Sequence, residues 1–309
     1  MAEQPQPRRV GILGYGKLGQ FLVSQLLSQG PPLGLSLAFV WARRGGALEP
    51  LPPALRLADL RQLPATGVHL VVEVAHPCVV QEHGEDILQH ADLMVGSPSA
   101  LADADTERRL RAAVARGGHT LYVPRGALWG CEDIARLDRA GTLQSLTVSL
   151  TVSPGSLRPQ GQLRERSVAA VAAGTAVELY RGPLRPLCAL APNNTNAMAA
   201  AALAAPGLGF DRVTARLLAQ PRVPDWHLLE VEVTAVTDGG RALSVPLVPD
   251  WHLLEVEVTA VTDGGRALTV TSSRRNPAGH GDVTGRATLQ SFWISLQDCT
   301  GHGGCVKFC

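Results

Sequence analysis

The chain has 309 residues, of which 45% are hydrophobic and 18% charged. At roughly 150 residues per domain this length holds about two domains, each able to bury a core. Lys and Arg number 28 against 27 Asp and Glu, a net charge of +1, so no long-range field favours a nucleic acid partner. No apolar run reaches the ~18 residues of a membrane span. The polar, proline-broken start of the chain lacks a signal-peptide core. Six cysteines in a chain of this length suit a reducing compartment, and the cytoplasm is the expected location.

Arg9 to Leu13 is a short apolar run that predicts a buried strand. Gly14-Tyr15-Gly16-Lys17-Leu18-Gly19 follows, and then a segment to Ser28 with helical apolar spacing, stopped by Gly30-Pro31-Pro32. A Gly-x-Gly-x-x-Gly run between strand and helix is the dinucleotide fingerprint in its proper context. The first glycine permits a tight turn and the second a close backbone approach to pyrophosphate. The third lets helix and strand pack. The helix N-terminus adds unpaired N–H groups and a partial positive charge. Gly14, Gly16, Lys17, Leu18 and Gly19 are therefore candidate cofactor contacts.

A second strand is predicted over Leu35 to Trp41 and ends at Ala42-Arg43-Arg44. NAD enzymes usually place Asp or Glu here to hold the ribose 2′-hydroxyl. Without that carboxylate, and with Arg43 and Arg44 in its place, the chain is expected to tolerate or to prefer NADP. His69 to Pro77 and Asp92 to Ser99 each read as a strand ending in a loop, Thr120 to Pro124 as another strand, and Val79 to His90 and Asp103 to Arg116 as helices. This alternation predicts a Rossmann-type doubly wound parallel sheet. Ligands bind at the carboxyl ends of such strands, so Ala75, His76, Ser97 to Ser99 and Gly126-Ala127 are expected to line one crevice.

After about residue 130 the rhythm changes. Leu146 to Val152 alternates like a half-exposed strand, Val177 to Tyr180 is another, and an alanine-rich helix follows Asn194 and Asn196. The fold class is α/β, with a nucleotide domain over 1–130 and a second, α+β mixed-sheet domain over 131–283. One segment, 223–244, recurs as 248–269 with only the last residue changed from Ser to Thr. Two copies make a tandem duplication and not a solenoid. His227 shares strand parity with Leu229, Val231 and Val233, so it is expected on the inward face, and His252 has the same relation to its neighbours.

These motifs, together with Val71 to Pro77, Gly96 to Asp103 and Arg125 to Gly130, resemble the L-aspartate dehydrogenase family. The resemblance implies oxidation of L-aspartate at Cα with NAD or NADP to iminoaspartate. That product feeds NAD biosynthesis or hydrolyses to oxaloacetate and ammonia. By resemblance, Ala127 and Asn196, with Asn194 close by, contact the cofactor, and His227 or its copy His252 is catalytic. Arg125, Ser97, Ser99 and Asn194 are candidate donors to the substrate carboxylates. The resemblance further implies a homodimer, and a C-terminal helix near 284–298 that returns to the nucleotide domain. The chain departs from the family in carrying Arg125-Gly126-Ala127 where Ser-Gly-Ala is usual, and in its doubled histidine segment. Alternative readings are a dehydrogenase of another amino or 2-oxo acid, and a catalytically silent NADP(H)-binding protein. No metal is expected. Cys299-x-x-His302-x-x-Cys305-x-x-x-Cys309 has the look of a zinc knuckle, but its glycines favour a disordered tail over 299–309.

Overall fold

The protein is described by a computed structural model that covers residues 6–126, 128, 130–221, 226–235, 257–260, 268–277, 284, 286–301 and 303–309. The chain divides into two compact units, one from residues 1–126 and 289–309, the other from 127–288.

The first unit opens with β1 (Arg8–Leu13), α1 (Lys17–Ser28) and β2 (Leu35–Trp41). No helix follows β2. Instead, 3-10 turns run over Gly45–Leu48, Pro53–Leu55 and Leu60–Thr66. Pro50, Pro52, Pro53 and Pro64 explain this, because proline removes backbone donors and clashes within an α-helix. Then come β3 (Leu70–Glu73), α2 (Pro77–Ile87), β4 (Asp92–Val95), α3 (Ala104–Gly117) and β5 (Leu121–Val123). Val10, Ile12, Leu70, Val72 and Met94 have no exposed surface, as strands covered on both faces require. The start of α3 follows from its sequence: the Asp103 carboxylate accepts the Thr106 N–H at 2.8 Å, and Asp105 and Glu107 lie in the first turn, where the helix dipole favours negative charge.

The second unit contains α4 (Cys131–Arg139), β6 (Leu143–Val152), α5 (Gln162–Ala173), β7 (Val177–Pro183), α6 (Leu184–Leu190), α7 (Asn196–Ala204), α8 (Gly209–Arg212), β8 (Thr214–Ala219), β9 (Trp226–Ala235), β10 (Glu257–Ala260) and β11 (Leu268–Pro277). Among the described residues its strands order as β10-β11-β9-β6-β8-β7. Among the described residues only β6 and β8 pair in parallel, so the sheet is mixed. α7 is buried from Met198 to Ala204, and alanines suit a helix enclosed on all sides because they pack closely and lose no side-chain entropy. The duplication resolves asymmetrically. The first copy supplies β9, held between β6 and β11, while the described residues of the second copy include the edge strand β10. His227, Leu229, Val231 and Val233 are all buried on β9, the period-2 face that the alternation of this segment requires.

The chain then returns to the first unit through α9 (Arg286–Asp298) and β12 (Val306–Phe308). Phe292, Trp293 and Leu296 enter the same core as Val10, Ile12 and Tyr122. The sequence reading expected a disordered tail over 299–309, whereas β12 pairs in parallel with β5 and completes the order β12-β5-β4-β3-β1-β2. The glycines that suggested fraying make the turn into β12. Gly303 has φ +63° and a Cβ there would lie 2.8 Å from the Gly118 carbonyl oxygen, so only glycine fits without strain. Cys309 is bonded on both sides, its N–H donating to the Val123 carbonyl and its carbonyl accepting the Arg125 N–H. Cys299 and Cys309 lie buried in this core. Cys309 beside it, together with burial, pushes the Cys299 thiol well up. His302 lies outside the described residues. Among the described residues, no three His, Cys, Asp or Glu side chains converge as a metal site, and no helix is long and apolar enough to cross a membrane.

Candidate nucleotide and proton-transfer sites

In the first unit β1 lies between β2 and β3, parallel to both. Chain connections leave in opposite directions on either side of it, which makes this the switch point where open α/β sheets bind ligands. Gly14 turns the chain there with φ +108°, and a Cβ on it would lie 2.7 Å from the Val74 carbonyl oxygen and 2.8 Å from the Ala75 nitrogen. A Cβ on Gly19 would overlap the Gly14 carbonyl. Gly16 differs, since a Cβ there would meet nothing within 4 Å. It is the N-cap of α1, with no side-chain capping bond and no acidic residue in the first turn. The glycine loop therefore rests on the turn after β3 and leaves an open, anion-favouring helix start at Gly16. Lys17 is exposed there, and Leu18 packs against the core.

Arg43 and Arg44 follow β2, both exposed. Arg43 donates to the Cys78 sulfur at 3.5 Å, which brings it to the start of α2. Arg44 precedes a 3-10 turn. His76 is the N-cap of α2, and its Nδ1 accepts the Cys78 N–H at 3.2 Å. Partial burial, helped by the charge of Arg43, holds the His76 pKa below its ordinary value. The imidazole is thus neutral at neutral pH, as an acceptor at Nδ1 must be.

Sequence reasoning did not single out Glu73, at the carboxyl end of β3. Its side chain is 1% exposed. One oxygen accepts the Ala75 N–H at 2.7 Å, the His76 N–H at 2.9 Å and the Ser97 hydroxyl at 3.1 Å. The other accepts the Ser97 N–H at 3.0 Å. Desolvation pushes the carboxyl up to about 7, against the opposing pull of these four donors. The signal was an acid closing an otherwise apolar strand, since a buried carboxyl has to find donors. Ser97, a candidate for the substrate carboxylates, spends both its donors on Glu73.

Raised from 4.5 to about 7, Glu73 favours the folded state fully only below its unfolded pKa and loses that contribution as pH rises through about 7. The stability of wild type relative to Glu73→Gln should therefore fall by about 3 kcal/mol between about pH 4.5 and 8. Paired urea melts across that range check it, and parallel curves would contradict it.

After β5, Arg125 is exposed and Gly126 takes φ +57°. The Ser291 hydroxyl of α9 holds the Gly126 carbonyl at 2.9 Å. Ala127 lies outside the described residues.

In the second unit Asn194 is buried, and both ends of its amide are engaged. It donates to the Ser156 carbonyl at 3.1 Å and accepts the Arg158 N–H at 3.0 Å. It thus pins the loop that follows β6. His227 stands opposite Val152, the last residue of β6, and opposite Asn276 on β11. Register and amide pinning therefore place His227 at the β6 end from which the Asn194-bound loop departs. Asn196 is the first residue of α7 and half-buried. His252 lies outside the described residues.

The parallel sheet, with its glycine loop at the switch point, makes the first unit a Rossmann-type NAD(P)-binding domain, and the similarities that follow make the protein an oxidoreductase. Residues 14–124 match the family model described as homoserine dehydrogenase, NAD binding domain, and residues 133–242 match aspartate dehydrogenase, C-terminal. The aspartate dehydrogenase domain-containing protein of Xenopus tropicalis is 44% identical over 302 residues, covering 97% of this chain and 98% of that one. The L-aspartate dehydrogenase of Serratia proteamaculans is 30% identical over 225 residues, 69% of this chain and 79% of that one. Aspartate dehydrogenase from Thermotoga maritima shares the fold, with a TM-score of 0.62 at 18% identity, over 95% of this chain and 97% of that one. The chain belongs to the aspartate dehydrogenase family.

Proposed function

We propose that the protein oxidises L-aspartate with NAD or NADP, giving iminoaspartate, which water converts to oxaloacetate and ammonia. The observation that carries this reading is the glycine loop seated at the switch point of a chain related over nearly its whole length to this family. The residues fit a pyridine nucleotide. Gly14 and Gly19 have no room for a side chain, and Gly16 opens onto the uncapped start of α1. The backbone of Gly14 to Gly19 would hold the pyrophosphate, and Ala75 and His76 border the same loop. When bound, the nicotinamide ring supplies the hydride acceptor for the substrate Cα–H bond.

The proton belongs to His227. Its imidazole takes a proton from the substrate ammonium, so the nitrogen lone pair can form the C=N bond as the Cα–H bond breaks. The same group then assists water addition to the imine. Asn194 supports this indirectly by fixing the loop beside His227, and family resemblance assigns Asn196, at the start of α7, as a cofactor contact. A homodimer is part of the reading, on family resemblance.

The decisive assay follows reduced nicotinamide formed from L-aspartate at alkaline pH, with D-aspartate and L-glutamate as controls. Turnover confined to L-aspartate is expected. A nucleotide-induced rise in Tm without turnover of L-aspartate would refute the enzymatic reading.

Arg43 and Arg44 support use of NADP, since β2 ends without a carboxylate and Arg43 is anchored toward α2. Replacing both by alanine should weaken NADPH binding by about tenfold or more and NADH binding by much less, because charge-assisted bonds to a phosphate contribute about 1.5–3 kcal/mol each. Parallel titrations with the two nucleotides check it. Equal losses for both would remove the arginines from cofactor selection.

A further inference from the structure

Two loops at the carboxyl ends of the first unit's strands are bonded to one side chain, and a third packs on one of them. Glu73 binds the turn at Ala75 and His76 through one carboxylate oxygen, and the β4 turn at Ser97 through both. Its own carbonyl accepts the Gly96 N–H at 2.7 Å. The turn it holds is the surface against which Gly14 packs, at Val74 and Ala75. A shift at Ala75 therefore moves the floor of the glycine loop. Four donors converge on two oxygens, and no acceptor faces them in these bonds. The carboxylate meets this demand, whereas a carboxylic acid or an amide must turn a hydrogen toward one of the donors.

We infer that Glu73 is a positioning residue for nucleotide binding: its carboxylate locks the Val74–His76 turn to the β4 turn and so holds the glycine loop in the shape that receives the pyrophosphate. This rests on the nucleotide-binding reading of the first unit. Every group bonded to the carboxylate is uncharged. Gly14 from the β1 loop, and Gly96 with Phe292 of α9 at the β4 turn, add no ionisable side chain. His76 is ionisable, but its ring is engaged with the Cys78 N–H and answers to Arg43 and Glu82. Ionisation of Glu73 itself should therefore govern the framework, and nucleotide affinity should improve as pH rises through neutrality.

The test titrates the full chain with NADH and NADPH by nucleotide fluorescence across about pH 5.5 to 8.5. Glu73→Gln should raise Kd about tenfold or more at the alkaline end and flatten the pH profile that wild type shows near neutrality. Ser97→Ala removes one of the donors and keeps the carboxylate. It should raise Kd a few-fold and move the midpoint upward, because the anion loses a supporting bond. A folded Glu73→Gln protein with wild-type Kd and an unchanged pH profile overturns the inference. If that variant does not fold, an unshifted midpoint and Kd in Ser97→Ala overturn it. Failure of wild type to bind either nucleotide overturns the nucleotide reading as well. Tight wild-type binding with unaffected variants overturns the role of Glu73 alone.

Discussion

His227→Ala is expected to lower turnover of L-aspartate by roughly two to four orders of magnitude, the usual contribution of a positioned acid–base group. Nucleotide affinity should stay within about twofold, since the proposed role of the imidazole is on the amine proton and not on the phosphates. The side chain is held on an interior strand, β9, between β6 and β11, so its orientation is fixed by two ladders of backbone bonds. His252→Ala should leave turnover nearly unchanged, because β10, the strand that lies wholly within the second copy, is at the sheet edge. Steady-state kinetics of the two single variants and the double variant decide the matter. Near-normal kcat in His227→Ala would end the proposed proton transfer, and a loss in His252→Ala would move the role to the second copy.

The glycine loop offers the second large effect, with an internal contrast. Gly14→Ala places a methyl at φ +108°, within 2.8 Å of Ala75 backbone atoms. Strain in that region is of order 1–3 kcal/mol before any clash is counted. Both stability and nucleotide binding should suffer, with Kd rising about a hundredfold or more and Tm falling by several degrees, a factor of ten in Kd being about 1.4 kcal/mol. Gly16→Ala meets no protein atom within 4 Å, so its Tm should stay near that of wild type. Its nucleotide affinity should still drop, since the methyl occupies the approach to α1. Thermal melts paired with nucleotide titrations measure both. A Gly16→Ala protein that binds as tightly as wild type would place the pyrophosphate elsewhere.

Much of this architecture is legible because it is written in local pattern. Arg9 to Leu13, the glycines after it and the apolar spacing to Ser28 announce a strand, a turn and a helix without help from elsewhere in the chain. Asp103 announces the start of α3 in the same way. The parity of His227 with Leu229, Val231 and Val233 shows which face it takes. What local pattern could not show is partnership across distance. Glu73 reads as one acid in an apolar run until Ser97, on the next strand's turn, is seen to bind it. Residues 299–309 read as frayed because β12 is three residues long, follows glycines and has its partner at Leu121 to Val123. The fate of the duplicated segment was beyond sequence for a plainer reason. Two nearly identical strands have nearly identical propensities, and only competition for the place between β6 and β11 separates them.

The return of α9 and β12 to the first unit also constrains how the chain is made. While a ribosome synthesises the second unit, the nucleotide domain waits with one flank of β5 unpaired and without Phe292, Trp293 and Leu296 in its core. At 5–20 residues per second that interval lasts roughly ten to thirty-five seconds. An open strand edge is a template for wrong pairing throughout such a delay. Nascent chains should accordingly lean on chaperones until the last strand emerges, and lesions near residue 309 should act as folding defects of the amino-terminal half.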